Sequence, residues 1–206
     1  MPTPTPAPVA TPTALAERPG LLIVAMGDSL TEGLGVDPAA AYPAQLERKL
    51  QAAGYTVTVA NAGVSGETSS GALSRVDWVL RQQPDIVILA TGGNDGLRGV
   101  APAITAENID QIVQKVQASG AVVVLAGMEM VQNMGEEFTG EFRALYPAIA
   151  ARRGVILMPF LLEGVATDPD LNQPDFIHPT AEGYTIVVEN LYPYVVQAIE
   201  QVQTQP

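Results

Sequence analysis

The chain has no cysteine and one histidine, His178. Without thiols there is no disulfide, no cysteine nucleophile and no cysteine-ligated metal, and one imidazole cannot build a histidine-rich metal site. No metal and no cofactor is expected. Positive charge is scarce as well: 10 Lys and Arg against 22 Asp and Glu leave a net charge of -12 over 206 residues. Nucleic acid and anionic membrane surfaces repel such a chain, so neither is expected as a partner, whereas neutral or zwitterionic ligands are compatible with it. No run approaches the roughly eighteen apolar residues of a membrane-spanning helix, and the start lacks the basic and apolar regions of an export signal. There is no internal repeat, no N-x-S/T sequon, no P-loop and no G-x-G-x-x-G. Aromatic residues make up only 5% of the chain, and the single tryptophan, Trp78, falls in a helical segment and is expected in the core.

What is present is a core. A hydrophobic content of 47% over this length suffices for one domain with a sizeable interior. The compositional break lies at residues 1–19, a Pro/Thr-rich stretch with too few large apolar groups to pack, expected to be a disordered, extended tether. The folded domain is expected over residues 20–206, as a monomer. Tethers of this kind often follow an export signal or a lipid anchor, so a periplasmic or extracellular location is expected.

From residue 20, apolar runs alternate with segments of helical period. Strands are expected at Leu21 to Met26, Thr56 to Ala60, Asp85 to Ala90, Ala121 to Gly127 and Val155 to Met158. Helices are expected at Pro43 to Ala53, Gly71 to Gln83, Ala106 to Ser119 and Glu137 to Arg152, with a last one from Ala181. Continuous runs such as Ile86-Val87-Ile88-Leu89 are those of strands buried on both faces, which means a parallel sheet covered by helices. Gly54 and Gly120 stand where a left-handed residue ends a helix, and Thr180 stands as an N-cap. The fold class is α/β: a three-layer α/β/α, doubly wound, five-stranded parallel sheet of flavodoxin-like type.

In such a sheet, ligands bind beyond the carboxyl ends of the strands. Gly27-Asp28-Ser29-Leu30 follows the first strand, and Ser29 sits at its tip. Taken alone, this reads rather as a turn serine capping the next helix. The far end of the chain changes the balance. A serine hydroxyl needs a base to become a nucleophile, usually an imidazole whose other nitrogen is held by a carboxylate. His178 is the one candidate base, and Asp175 lies three residues before it on the same loop, a spacing that lets its carboxylate reach one ring nitrogen. The turns Asn61-Ala62-Gly63-Val64-Ser65-Gly66-Glu67-Thr68 and Thr91-Gly92-Gly93-Asn94-Asp95-Gly96 follow the second and third strands. They offer backbone N–H groups and an amide suited to an oxyanion, and are also ordinary strand-to-helix turns.

The blocks Gly27-Asp28-Ser29-Leu30, Val64-Ser65-Gly66-Glu67-Thr68, Gly92-Gly93-Asn94-Asp95 and Asp175-x-x-His178 resemble, in order and spacing, those of the SGNH hydrolase (GDSL esterase/lipase) superfamily. Gly92 through Gly99 and Leu145-Tyr146-Pro147 are similar to its bacterial thioesterase/lysophospholipase and arylesterase branch. The resemblance implies a serine esterase acting on acyl or aryl esters, and on thioesters or lysophospholipids, through an acyl-serine. It implies Ser29 as nucleophile, His178 as base and then acid, and Asp175 as the orienting carboxylate. Ser29 N–H, Gly66 N–H and the Asn94 amide would form the oxyanion hole. Asp28 and Asp95 are read as holding their turns, and Gly63 as a turn residue. Phe176 stands where relatives tend to carry a small residue, often glycine. With Met130 and Met134 of the loop Met128–Gly135 it is expected to line the substrate pocket, although a methionine cluster is more often plain packing. Two other readings stay open: a carbohydrate O-deacetylase on the same fold, and a non-catalytic flavodoxin-like binding module.

Overall fold

The computed structural model describes residues 20–130 and 134–204. The proposed tether at 1–19 and Val131 to Asn133 of the methionine-rich loop lie outside the described residues. Five strands, β1 (Leu21–Gly27), β2 (Val57–Gly63), β3 (Ile86–Ala90), β4 (Val122–Ala126) and β5 (Ile156–Met158), form one parallel sheet in the order β2-β1-β3-β4-β5. The switch in order beside β1 marks the flavodoxin-like doubly wound pattern and leaves a crevice at the carboxyl end of that strand. β3 and β4 are buried at every position, as their unbroken Ile/Val/Leu runs demand; β2, at the edge, alternates.

Helices α2 (Tyr42–Ala52) and α7 (Ala181–Thr204) pack together, while α3 (Ser69–Leu80), α5 (Pro102–Ala118) and α6 (Glu136–Arg153) form a second layer. The three-layer expectation therefore holds, with element ends moved by at most four residues. The largest shift is at α5, which starts at Pro102 because proline, lacking an N–H, suits the first helical turn. Gly54 and Gly120 are left-handed, at φ +93 and +90, and Thr180 Oγ1 accepts from Gly183 N–H at 3.2 Å as the cap of α7.

Two short helices add to the expected elements: α1 (Ser29–Glu32), directly beyond the first strand, and α4 (Gly93–Leu97), where sequence patterning suggests a turn. Trp78 is a correction. It lies on α3 but is 52% exposed, because the inward stripe of that helix is filled by Ala72, Val76 and Val79. Gly63 is another. It ends β2 rather than making a turn, and a Cβ there would meet Glu32 N at 2.1 Å, so the residue is small because the backbone of α1 crosses it.

Register sets the site. Gly27 of β1 is level with Gly63 of β2 and Ala90 of β3, so the three following loops leave the sheet at one height.

Candidate active site

Ser29 opens α1 directly beyond β1, with Asp28 as N-cap: Asp28 Oδ1 accepts from Leu30 N–H at 3.0 Å. Ser29 is 8% exposed. Its Oγ lies 2.8 Å from Nε2 of His178, although the two residues stand 149 positions apart in sequence. On the other side of the ring, Nδ1 lies 2.6 Å from Asp175 Oδ2. Asp175 Oδ1 accepts from the N–H groups of Ile177 and His178 at 2.9 and 3.0 Å, so the D-x-x-H loop wraps around its own carboxylate. Desolvation pushes this carboxyl up, but the His178 ring and the two N–H groups outweigh it and bring it down to about 2. An ionised carboxylate only accepts hydrogen bonds. Nδ1 therefore carries the ring proton, and Nε2 is left to accept from the serine hydroxyl.

The loop bearing His178 is fixed by contacts that the sequence did not advertise. Gln173 N–H donates to His178 O at 2.7 Å, and its amide donates to Leu34 O at 2.7 Å, tying the histidine loop to the segment after α1. Gly35, at φ +80, leaves room for that amide: a Cβ there would sit 2.1 Å from Gln173 Oε1. Asn172 Nδ2 donates to Val165 O and Asp168 O at 2.6 and 2.8 Å, anchoring the base of the loop.

Gly66 and Asn94 come from the other two loops. Gly66 has φ +74 and sits in the turn closed by Glu67 N–H to Val64 O. Arg98 donates to Gly66 O at 2.7 Å, which orients the turn from α4. Glu67 forms a bidentate pair with Arg75, at 2.7 and 2.6 Å, and Arg75 also donates to Ala62 O and Gly27 O at the ends of β2 and β1. Asn94 Nδ2 donates to Glu67 O at 3.0 Å and to Asp28 Oδ2 at 3.2 Å. Among the described residues, neither Ser29 N–H nor Gly66 N–H donates to a protein acceptor. The third loop rests on buried supports. Tyr146 OH donates to Thr91 O at 2.9 Å below Gly92, and Asp95 accepts from Ser69 N–H and Ser69 Oγ at 2.7 and 2.5 Å.

With a hydrogen-bonded Ser–His–Asp line at the switch point and N–H donors beside it, the comparison with known proteins is specific. The GDSL-like lipase/acylhydrolase family matches residues 25–186. The chain belongs to this family. The esterase TesA of Pseudomonas aeruginosa is 38% identical over 172 residues, 83% of this chain and 86% of that one. The thioesterase 1/protease 1/lysophospholipase L1 of Escherichia coli K12 is 37% identical over 168 residues, 81% of this chain and 79% of that one. A crystal structure of TesA superposes with a TM-score of 0.83 at 37% identity, covering 86% of this chain and 99% of that chain. This GDSL-like protein is a carboxylic ester hydrolase.

Two further features belong to the GDSL-like site. Asp28 is 2% exposed. Burial raises its carboxyl to about 6, against the lowering effects of Leu30 N–H, the Asn94 amide and the nearby His178. Beside Ser29 an apolar cleft of about 130 Å³ is lined by Leu30, Leu97, Met130, Phe160, Phe176 and Ile177 among others. Of the three expected pocket residues, Met130 and Phe176 stand on this wall. Met134 does not stand among the described lining residues; it is half-buried just before α6. Among the described residues no helix is long and apolar enough to cross a membrane, and no group of three or more acidic or histidine side chains is placed to hold a metal ion.

Proposed function

We propose that this hydrolase cleaves acyl esters, and thioesters or lysophospholipids with them, by an acyl-serine route in which Ser29 is the nucleophile, His178 the general base and then acid, and Asp175 the orienting carboxylate. The observation that carries this reading is the Ser29 Oγ to His178 Nε2 distance of 2.8 Å with Asp175 behind the ring at 2.6 Å. As Ser29 Oγ attacks the acyl carbonyl, its proton passes to His178 Nε2, and the positive ring is held by ionised Asp175. The tetrahedral oxyanion is met by Ser29 N–H, Gly66 N–H and the Asn94 amide; removal of one such donor costs about 3–4 kcal/mol of transition-state stabilisation in a related chemistry. Collapse breaks the bond to the leaving oxygen or sulfur, which takes the proton from His178. Water then attacks the acyl-serine with His178 again as base, releasing the carboxylic acid and restoring the serine.

Residues 20–206 act as one catalytic domain in this reading, and the protein works as a monomer. A periplasmic or extracellular location is supported by the Pro/Thr-rich composition of residues 1–19. The test is a panel of nitrophenyl esters, acyl thioesters, lysophospholipids and acetylated sugars, run on the wild type and on Ser29→Ala. Turnover of the first three classes, lost in Ser29→Ala, is the expected result; turnover of acetylated sugars alone would favour an O-deacetylase instead.

A further inference from the structure

Among the described residues, five of the seven large apolar side chains left exposed are Leu34, Val64, Leu97, Phe176 and Ile177, all on segments beyond the carboxyl ends of the strands. The last three help to line the cleft of about 130 Å³. Two of its lining residues adjoin the reacting groups in the chain: Leu30 follows Ser29, and Ile177 lies between Asp175 and His178. Phe176 is 61% exposed, so its ring serves as a lip over the cleft and adds little to the core.

Its backbone is left-handed, at φ +59, a conformation unfavourable for any residue with a Cβ. Thr167, also on the cleft wall, has φ +71. Of the three non-glycine residues with positive φ among the described residues, two therefore line this one cleft. Backbone strain that glycine would relieve, at a side chain the core does not need, points to a ligand-contacting role.

The size of the cleft sets what it can enclose. A cavity of ~150 Å³ holds one benzene, so this one takes about four to six carbons of an acyl chain, and further methylenes run past Phe176 into water. Each enclosed methylene raises kcat/KM by roughly fourfold, and those outside add nothing. We propose that Phe176 is a specificity-determining lip and that the site discriminates among carboxylic esters over about the first four to six carbons of the acyl group, longer chains being accepted without further gain. This rests on the acyl-serine reading of Ser29, His178 and Asp175.

The experiment measures kcat/KM of the full chain on p-nitrophenyl acetate, butanoate, hexanoate and decanoate, for wild type, Phe176→Ala and Phe176→Gly. In the wild type the value climbs from acetate to hexanoate and gains nothing from hexanoate to decanoate. The hexanoate-to-acetate ratio falls roughly tenfold in both variants, as the ring's cover over two or so methylenes is lost. The glycine variant unfolds at or above the wild-type temperature, since it relaxes the backbone. A wild-type slope that continues unbroken to decanoate, or a variant ratio equal to that of the wild type, overturns the proposal while the acyl-serine reading stands. Equal acetate turnover by wild type and Ser29→Ala overturns that reading, and the proposal with it.

Discussion

Asp175 and Asp28 stand on either side of the same serine and are driven in opposite directions. Asp175 is brought down to about 2 and is ionised at neutral pH. Asparagine at this position presents an amide to Nδ1 and favours the ring tautomer that cannot accept from Ser29. Asp175→Asn should therefore lose kcat by up to roughly 10⁴-fold, the effect of the same exchange in a serine protease, with KM little changed; steady-state kinetics checks it. Asp28, raised to about 6 by burial, binds its proton more tightly folded than unfolded. The stability this contributes is complete below about pH 4 and is lost as pH rises through about 6. Urea unfolding of wild type and Asp28→Asn from pH 4 to pH 7 should show the variant gaining on the wild type by up to roughly 3 kcal/mol, at about 1.4 kcal/mol per pH unit. A constant difference across that range contradicts it. The meeting of Ser29, Asp175 and His178 was legible from residue types, because few side chains suit the proposed chemistry and the chain holds only one imidazole. The state of Asp28 was not legible, since it depends on how completely α1 and the Asn94 loop cover the carboxyl.

At the scale of elements, the alternation of apolar runs and amphipathic segments gave the order of strands and helices, because strands covered on both faces need continuous Val, Ile and Leu. The clasps between loops left no such periodic trace. Gln173 to Leu34 O and Arg75 to Glu67 are polar contacts whose pairing follows from tertiary geometry alone. The same holds for Gly63, which sequence patterning places in a turn and the crossing of α1 explains. Alanine at position 63 brings a Cβ to 2.1 Å from backbone that cannot yield cheaply, whereas alanine at Gly54, at φ +93, meets nothing within 4 Å. Gly63→Ala should cost about 3 kcal/mol or more by forcing β2 and α1 apart, and Gly54→Ala about 1–2 kcal/mol from the left-handed backbone alone. Chemical denaturation of the two variants side by side checks the order. Gln173→Ala leaves the core intact but frees the histidine loop, so it should lower kcat by roughly tenfold while the unfolding midpoint moves little.

For the molecule as a whole, the meeting of Ser29 and His178, the proposed nucleophile and base, from 149 residues apart is a property of the doubly wound sheet. β1 occupies the position beside the switch in strand order, and the chain crosses β3, β4 and β5 before it returns through the loop that precedes α7. Neither end of the chain carries a site by itself; the sheet joins them. That dependence makes covalent labelling the sharpest test of the account. Treatment with a serine-directed organophosphonate followed by peptide mass mapping should place one adduct per chain on Ser29, with activity lost in step and no adduct on Ser29→Ala or on denatured protein. Stoichiometric labelling at any other serine, or full activity with Ser29 modified, would contradict it.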